Sequence, residues 1–327
     1  MARHFLTGEE LTSDELLGLL ERALALKAAR GRPDAGAEPT SARGRLSGGE
    51  PLSGRSVALI FDKPSTRTRI SFEVAVHELG GHPLVLREGE TQLARGESPR
   101  DTALVLSRLV DAAGVRTGPH ALLEELAAHA SIPIVNLLSA EHHPCQALAD
   151  LLTLRERFGG VEGVRLAYVG DGNNVAASLM LLGARAGAEV AVATPPELAP
   201  PESVVAAARA SSRAGGALVV TSDPAEATTG AHAVYTDVWV SMGDEAEAAR
   251  RRELLAPYRL DDDLLASARA DAIVLHCLPA HPGEEITEDL LYGDRSAVWD
   301  QAENRLHAQK ALLELVIGNA VIDPSLS

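Results

Sequence analysis

The chain has 327 residues, of which 46% are hydrophobic and only 3% aromatic, and it carries a formal net charge of −16 at pH 7. This length predicts two domains, and the many Ala, Leu and Val residues suit helices packed on parallel strands. The negative charge opposes binding to nucleic acid or anionic lipid. No apolar run approaches the roughly 18 residues that span a bilayer, and two cysteines are too few for a disulfide framework. We therefore expect a cytoplasmic protein in a reducing compartment.

The first predicted element is a helix. The Thr-Ser-Asp-Glu sequence at 12–15 has the pattern of a capping box, and leucines at helical spacing follow as far as Gly31, which predicts about five turns. Residues 32–54 are rich in Gly, Pro and Ser and contain almost no large apolar residue. Such a stretch buries too little surface to offset its ordering entropy, so we expect a mobile surface loop there.

Short apolar runs then alternate with helical stretches, as in parallel sheets flanked by helices. Four runs predict the strands of a first domain: 57–61, 83–86, 112–115 and 132–137. A long helix over 145–158 connects to a second domain, for which six runs are predicted as strands: 165–169, 190–193, 217–220, 233–235, 272–275 and 297–299. A last helix, from about 302 to 317, is expected to pack on an earlier element. The predicted fold class is α/β, with two such domains joined by interdomain helices.

The strongest local signal is the segment 61–69, which lies between a predicted strand and the helix predicted over 70–79. It places three hydroxyl and two guanidinium side chains at a helix N-terminus, where free N–H groups and the helix dipole favour an anion. This arrangement predicts a phosphate site, and the missing GxxxxGK pattern disfavours a nucleotide P-loop. The alternative is a helix capped by Ser or Thr with solvated arginines.

A second candidate is His-His-Pro-Cys-Gln at 142–146, before the long connecting helix. Pro144 suits the first helical position, which leaves His143 and Gln146 near the helix start, where they could bind a ligand. The alternatives are histidines that fill a loop or core, or metal ligands together with Cys145.

The third candidate, residues 168–175, is a strand that runs into a Gly-rich turn and a helix. It imitates a dinucleotide-binding fingerprint, but Val175 replaces the third glycine, and the next strand leads to Thr194 and Pro195 rather than to an acidic ribose ligand. A nicotinamide-dependent oxidoreductase is therefore a weaker hypothesis, while a ligand at this turn remains expected.

Two further segments, 236–243 and 276–279, follow apolar strands. Ligands of open parallel sheets bind beyond the carboxyl ends of strands, so these segments should meet the Gly-rich turn in one crevice. Asp237 supplies a negative charge and Cys277 a polarizable thiol, which suits a cationic ligand. The alternative for Cys277 is an inert, buried residue.

Together these segments closely resemble the aspartate/ornithine carbamoyltransferase family, and among its members those that use ornithine. The resemblance extends over nearly the whole chain, with several motifs in the order of the family. The matching motifs are Ser-Thr-Arg-Thr-Arg at 65–69, Arg116, His-Pro-Cys-Gln at 143–146, Gly-Asp-Gly-Asn-Asn at 170–174, Asp-Val-Trp-Val-Ser-Met-Gly at 237–243, His-Cys-Leu-Pro at 276–279 and Ala-Glu-Asn-Arg at 302–305. Two departures are the long 32–54 stretch and the additional His142.

The resemblance implies a carbamoyl phosphate-binding domain over 1–142, an ornithine-binding domain over 143–301, and a C-terminal helix, 302–327, that packs back on the first domain. It implies transfer of the carbamoyl group to the side-chain amine of ornithine, which gives citrulline and phosphate in arginine biosynthesis. It also implies no metal and no organic cofactor, and a homotrimer or a multiple of trimers.

The resemblance further implies the site residues. Cys277, Arg116 and His143 are implied as catalytic. The implied carbamoyl phosphate-binding residues are Ser65, Thr66, Arg67, Thr68, Gln92, Arg116, His143, Gln146, Cys277, Leu278 and Arg305, with Gln92 reaching the site of a neighbouring subunit. The implied ornithine-binding residues are Asn174, Asp237, Ser241 and Met242. Putrescine or another amine remains an alternative acceptor, and a non-catalytic relative of the family is a further alternative.

Overall fold

A computed structural model describes residues 2–30, 50–87, 89–213, 216–240 and 245–318. The chain divides into two compact units, one formed by Met1–Cys145 with Arg305–Ser327 and the other by Gln146–Asn304. Each unit is a parallel sheet flanked by helices, so the predicted fold class is confirmed. Among the described helices, none combines the length and the apolar character needed to cross a membrane.

The first unit contains a four-stranded parallel sheet in the order β2-β1-β3-β4. Its elements are α1 (Ser13–Arg30), β1 (Ser56–Phe61), α2 (Thr66–Glu78), β2 (His82–Arg87), α3 (Pro99–Leu109), β3 (Ala112–Arg116), α4 (His120–His129) and β4 (Ile134–Leu138), with a 3-10 helix at Gln92–Arg95. The helix α5 (Pro144–Phe158) begins with the last two residues of this segment of the first unit and continues into the second unit.

The second unit contains a five-stranded parallel sheet in the order β7-β6-β5-β8-β9. Its elements are β5 (Arg165–Val169), α6 (Asn174–Arg185), β6 (Glu189–Ala193), α7 (Glu202–Ala210), β7 (Ala217–Thr221), α8 (Pro224–Thr228), β8 (Ala233–Thr236), α9 (Ala248–Leu255), α10 (Asp262–Leu265), β9 (Ile273–His276), α11 (Glu288–Tyr292) and α12 (Val298–Ile317). Three 3-10 helices lie at Pro196–Leu198, Glu245–Glu247 and Ala256–Tyr258. The last part of α12 belongs to the first unit.

The predicted capping box of α1 is confirmed. The N–H of Thr12 donates to the Glu15 carboxylate over 2.9 Å, and the N–H of Glu15 donates back to the Thr12 hydroxyl over 3.2 Å. These reciprocal hydrogen bonds satisfy N–H groups that the helix itself leaves without partners. The helix then runs for 18 residues, in agreement with the predicted five turns.

The far end of α12 is fixed to the first unit by buried charges. Glu78 at the end of α2 accepts hydrogen bonds from the fully buried Lys310 ammonium over 2.8 Å and from the Arg30 guanidinium over 3.0 Å. Both carboxylate oxygens are thus paired with a cation, which offsets the cost of burying these charges.

Two predictions from the sequence are wrong. Residues 297–299 are not a strand: Ser296 makes only an isolated bridge to Val274, and α12 begins at Val298. A short apolar run does not distinguish a strand from the buried first turn of a helix. The predicted loop also extends too far, because Leu52 is fully buried and its N–H donates to the carbonyl of Leu79 over 2.9 Å. Residues 32–49 of that loop lie outside the described residues.

In each unit, the strand order contains one switch point: two neighbouring strands whose outgoing connections run towards opposite edges of the sheet. In the first unit this place lies between β1 and β3, and in the second it lies between β5 and β8. Adjacent loops diverge there and leave a crevice at the carboxyl ends of the strands, where open parallel sheets bind ligands. Four of the predicted motifs, at 65–69, 116, 170–174 and 237–243, lie at the ends of these four strands or directly after them.

Candidate functional site

The first candidate site lies at the carboxyl ends of β1 and β3. Phe61 and Arg116 are register partners there, and the N–H of Asp62 donates to the carbonyl of Arg116 over 3.0 Å. The loop after β1 leads directly into α2, so residues 65–68 stand at the start of that helix. An anion is favoured at this position by the free N–H groups and by the positive end of the helix dipole.

Ser65 differs from an ordinary helix cap. It occupies the N-cap position of α2 in an extended conformation, but its side chain makes no capping hydrogen bond. By contrast, Ser98 caps α3 by accepting a hydrogen bond from the N–H of Asp101 over 3.0 Å. The alternative of a side-chain-capped helix therefore does not describe α2, and both the Ser65 hydroxyl and the first-turn N–H groups are available to a ligand.

Thr68 and Arg305, far apart in sequence, are brought together. The Arg305 guanidinium, on α12, donates to the Thr68 hydroxyl over 2.7 Å, and both residues are buried. Their contact places a cationic side chain at the first turn of α2. The motif at 302–305 thus contributes to the same cluster as the motif at 65–69.

His143 is buried beside this cationic cluster. Burial, followed by the positive charges of Arg305 and Arg116, lowers the pKa of His143 well below its ordinary value of 6.5. The imidazole is therefore neutral at pH 7. A neutral imidazole keeps one N–H group, which can donate a hydrogen bond to a ligand oxygen.

A cavity of about 490 Å³ opens at the start of α2. Its lining includes two residues predicted from the sequence, Ser65 and Thr66, and is completed by Phe61, Lys63, Pro64, Arg69, Ile70, Glu73 and Arg87. Arg69 donates to Glu73 over 2.6 Å within this wall. Lys63 lies within the segment 61–69 but was not assigned a role there. Arg87 was not selected from the sequence, because a single basic residue after a predicted strand gives no local signal.

The other predicted residues of the phosphate side are placed as follows. Arg67 lies in the first turn of α2 and is half-buried. Gln92 begins its own 3-10 helix, and its role in the site of a neighbouring subunit stays a prediction. Gln146 belongs to the second unit, where it is buried in the first turn of α5, and Pro144 is the first residue of that helix, as predicted.

The alternative of a metal site at 142–146 is not supported. Cys145 is buried, its thiol donates to the carbonyl of Asn136 over 3.3 Å, and burial raises its pKa to about 12. His142 packs edge-on against His120, with ring centroids 4.9 Å apart. A metal would require a thiolate and a lone pair directed to a common point, whereas Cys145 is a neutral donor to the backbone.

The second candidate site lies at the carboxyl ends of β5, β8 and β9. The Cys277 thiol donates to Asp237 Oδ1 over 2.8 Å, and the Asn173 side-chain amide donates to Asp237 Oδ2 over 2.8 Å. The N–H of Val238 also donates to Oδ1, over 2.8 Å. The structure thus brings together the three motifs that were predicted to meet, around one carboxylate that is 5% exposed.

The sequence motif led us to assign a ligand contact to Asn174 and no role to its neighbour Asn173. Its Oδ1 caps α6 by accepting the N–H groups of Val175 and Ala176, and it also accepts from the Tyr168 hydroxyl over 3.3 Å. With Oδ1 thus fixed as the acceptor, Nδ2 is directed to Asp237. Asn174 is the first residue of α6, and its contact with ornithine stays a prediction.

The Gly-rich turn is shaped by close backbone approach. A Cβ at Gly172 would lie 2.4 Å from the carbonyl oxygen of Leu198, so only glycine fits there. Beyond β6 the chain continues with the buried Thr194, whose hydroxyl donates to the same Leu198 carbonyl over 3.0 Å. The acidic ribose ligand of a dinucleotide site is therefore absent from this position, which disfavours the oxidoreductase hypothesis.

Asp237, His276 and Cys277 also form the type of cluster that can bind a metal, with ligand atoms within 4.8 Å of one another. However, His276 Nδ1 accepts the N–H of Leu278 over 2.9 Å, and its Nε2 lies 3.2 Å from the buried carboxylate of Glu285. Both ring nitrogens of His276 are engaged, so this set fits a hydrogen-bonded network better than metal coordination.

Leu278 has φ +60, the left-handed conformation that a residue with a side chain rarely adopts. Such strain persists only where surrounding contacts hold it, and it is concentrated at functional sites. The bond from its N–H to His276 is one such contact. The other predicted ornithine contacts, Ser241 and Met242, lie outside the described residues.

Comparisons with known proteins agree with this geometry. Residues 3–156 match the carbamoyl-P binding domain of aspartate/ornithine carbamoyltransferase, and residues 162–316 match its Asp/Orn binding domain. The chain is 54% identical to the ornithine carbamoyltransferase of Acidothermus cellulolyticus over 98% of both chains. It is 52% identical to the anabolic ornithine carbamoyltransferase of Pyrococcus furiosus over 82% of this chain and 85% of that one.

Solved structures give the same result. The ornithine carbamoyltransferase of Pyrococcus furiosus superposes with a TM-score of 0.89 at 46% identity, covering 98% of both chains. The mitochondrial enzyme of Coccidioides immitis superposes with a TM-score of 0.85 at 34% identity over 98% of both chains. With two matching domains and two candidate sites at their switch points, the chain belongs to the aspartate/ornithine carbamoyltransferase family.

Proposed function

We propose that the protein transfers the carbamoyl group of carbamoyl phosphate to the side-chain amine of L-ornithine, giving L-citrulline and phosphate. The observation that carries this proposal is the Asp237–Cys277 pair in the part of the chain that matches an Asp/Orn binding domain. A carboxylate bound to a thiol suits an amine, whereas a dicarboxylate such as aspartate would require basic groups. The names of the relatives support the same choice.

Carbamoyl phosphate is the proposed ligand of the first unit. The phosphate is held by the start of α2, through the Ser65, Thr66 and Thr68 hydroxyls, the backbone N–H groups and the Arg67 guanidinium. The open N-cap of α2 and the Thr68–Arg305 hydrogen bond support this assignment. The proposed set is completed by Gln92, Arg116, His143, Gln146, Cys277, Leu278 and Arg305.

The chemical step is attack by the neutral amine nitrogen on the carbamoyl carbon. Negative charge develops on the carbamoyl oxygen in the tetrahedral intermediate, and phosphate leaves when that intermediate collapses. Arg116 and the neutral His143 are the proposed donors to this oxygen, and removing one such donor typically costs about 10²–10³ in kcat. The lowered pKa of His143 favours the neutral imidazole, so its proposed role is to stabilise the oxygen as a hydrogen-bond donor.

Ornithine is the proposed ligand of the second unit. Asp237 binds the side-chain amine, Cys277 lies beside the same carboxylate oxygen, and Asn174, Ser241 and Met242 hold the remainder of the substrate. The low exposure of Asp237 supports this role, because a charge pair in a partly desolvated position is stronger than one on the surface. Putrescine, which has no α-carboxylate, is the second acceptor to test.

A homotrimer, or a multiple of trimers, is proposed as the working assembly. The first unit exposes large apolar side chains, and exposed apolar surface marks a contact between proteins where it forms a patch. They are Ile70, Leu84, Leu104, Val105 and Leu109, the last with 70% exposure. Light scattering of the purified protein should give three times the 34.3 kDa chain mass or a multiple of that, and a monomer would contradict this part of the proposal.

The proposed setting is arginine biosynthesis in the cytoplasm. An anabolic relative supports the biosynthetic direction. Neither Cys145 nor Cys277 forms a disulfide, and the Cys277 thiol must stay reduced to donate to Asp237, which is consistent with a reducing compartment.

Isotope transfer tests the proposed reaction. Carbamoyl phosphate labelled at the carbamoyl carbon should give labelled citrulline in an amount equal to the phosphate released. Label recovered only as bicarbonate would indicate hydrolysis and would overturn the proposal. Titration with NADH, followed by fluorescence, tests the oxidoreductase alternative, for which we expect no binding.

A further inference from the structure

Asp150 is a fully buried carboxylate that holds two glutamines with one oxygen. Its Oδ1 accepts hydrogen bonds from Gln146 Nε2 over 2.8 Å and from Gln301 Nε2 over 2.7 Å. Gln146 lies one turn before it on α5, whereas Gln301 lies in the first turn of α12. All three side chains belong to the second unit and are at most 1% exposed.

These contacts fix the orientation of both amides. Asp150 Oδ1 is the acceptor in both hydrogen bonds, so each glutamine turns its amide nitrogen towards Asp150. Gln301 is fixed a second time, because its Oε1 accepts the backbone N–H of His276 over 2.9 Å. The amide atom that Gln146 turns away from Asp150 is consequently its carbonyl oxygen, which is a hydrogen-bond acceptor.

We propose that Asp150 is a positioning residue that makes the site selective for a carbamoyl group. By holding Nε2 of Gln146, it presents Gln146 Oε1 as an acceptor for the NH₂ group of carbamoyl phosphate. Acetyl phosphate has the same phosphate and carbonyl groups but a methyl group in place of NH₂, and it gains nothing from this acceptor. This inference rests on the proposed function, in which Gln146 binds the carbamoyl amide.

Selectivity of this type requires that Gln146 cannot rotate. A glutamine whose amide could flip would present an NH₂ group to the substrate NH₂ and repel it, at a net cost of about 1 kcal/mol or more for the lost hydrogen bond. The Asp150 carboxylate prevents the flip, and Gln301 fixes the carboxylate oxygen in turn. The acceptor is therefore set by a chain of hydrogen bonds that ends at the backbone of β9.

The test compares Asp150→Ala with Asp150→Asn. In the asparagine variant, Gln301 still requires an acceptor at Oδ1, so the new amide should keep its oxygen there and preserve the orientation of Gln146. We expect Asp150→Ala to raise the KM for carbamoyl phosphate about tenfold. The inhibition constant of acetyl phosphate should change by less than about twofold, and Asp150→Asn should restore the discrimination between the two ligands.

Thr153→Val is the matched control. It removes a hydrogen bond of 3.0 Å from Asn304 between the same two helices, one turn further along α5, and it leaves the contacts of Asp150 intact. It should lower the melting temperature without changing the discrimination. If Asp150→Ala does not yield folded protein, Asp150→Leu keeps most of the side-chain volume and serves in the same comparison.

Three results would overturn the inference: equal weakening of carbamoyl phosphate and acetyl phosphate by Asp150→Ala, no rescue by Asp150→Asn, or the same loss in Thr153→Val. Absence of citrulline from the unmodified protein would count against the proposed function instead. In that case calorimetric affinities of the same variants for the two phosphates decide the role of Asp150.

Discussion

The thiol of Cys277 donates a hydrogen bond to Oδ1 of Asp237 over 2.8 Å. The same carboxylate also accepts from the Asn173 amide and from the N–H of Val238. A carboxylate offers about four acceptor positions, so these three donors leave a position for an incoming amine. Asp237 is thus held in place before a ligand arrives.

Replacing Asp237 tests its role in binding the amine. We expect Asp237→Ala to raise the KM for ornithine and to leave that for carbamoyl phosphate nearly unchanged. Loss of one partner from a desolvated charge pair costs at least about 2 kcal/mol, which corresponds to roughly 30-fold. Initial rates at varied concentrations of each substrate provide the measurement. An unchanged KM for ornithine would remove Asp237 from this role.

Replacing Asn173 separates its two functions. Asn173→Ala should destabilise the protein by about 1 kcal/mol through the lost cap of α6, and it should also raise the KM for ornithine because Asp237 loses a donor. Asp223→Ala, which removes the cap of α8, is the control. It should reduce stability alone. Equal kinetic effects in the two variants would show that Asn173 acts only through stability.

The open N-cap of α2 predicts an unusual combination of effects for Ser65→Ala. Because the Ser65 side chain makes no capping hydrogen bond, the variant should keep its stability within about 0.5 kcal/mol while the KM for carbamoyl phosphate rises. Ser98→Ala removes a true cap from α3 and should show the reverse pattern, with about 1 kcal/mol less stability. Urea unfolding and initial rates on both variants test this pair, and a large stability loss in Ser65→Ala would contradict the assignment.

The lowered pKa of the buried His307 predicts that the protein loses stability in acid. Its pKa is lowered from 6.5 to about 3 by burial first, and then by Lys27, Lys310 and Arg30. The unfolded chain therefore binds a proton between these pH values that the folded chain does not. The contribution of His307 to stability is complete above pH 6.5 and is lost as pH falls towards 3, by at most about 1.4 kcal/mol per pH unit.

The glutamine variant provides the measurement. His307→Gln cannot titrate, so its free energy of unfolding should fall less between pH 7 and pH 5 than that of the unmodified protein. Parallel pH profiles for the two proteins would show that this histidine does not contribute to acid sensitivity.

Much of the fold could be predicted because its signals are local. Apolar runs of strand length and the capping box at 12–15 depend on neighbouring residues, and the structure confirms them. The run at 297–299 was misassigned, because three apolar residues fit a buried helix start as well as a strand. Strand order was beyond the sequence, since it depends on which strands pair and not on any one strand.

The candidate sites could likewise be predicted only where the sequence carries a local signal. Motifs at strand ends indicated Asp237 and Cys277, and the parallel topology predicted that they would meet. The neighbours Asn173 and Asn174 could not be ranked, because only the helix start determines which one caps α6. Asp150 and Gln301 gave no signal at all, since their hydrogen bond joins residues 151 positions apart.

Acceptor specificity tests the central claim most directly. Citrulline-type product is measured with carbamoyl phosphate and, in parallel, with ornithine, putrescine, aspartate or N-acetylornithine. The proposed function predicts product with ornithine and none with the other three, because Asp237 and Cys277 suit an amine and the remaining contacts are assigned to ornithine. Product with putrescine or aspartate in place of ornithine, or no product from any acceptor, would contradict it.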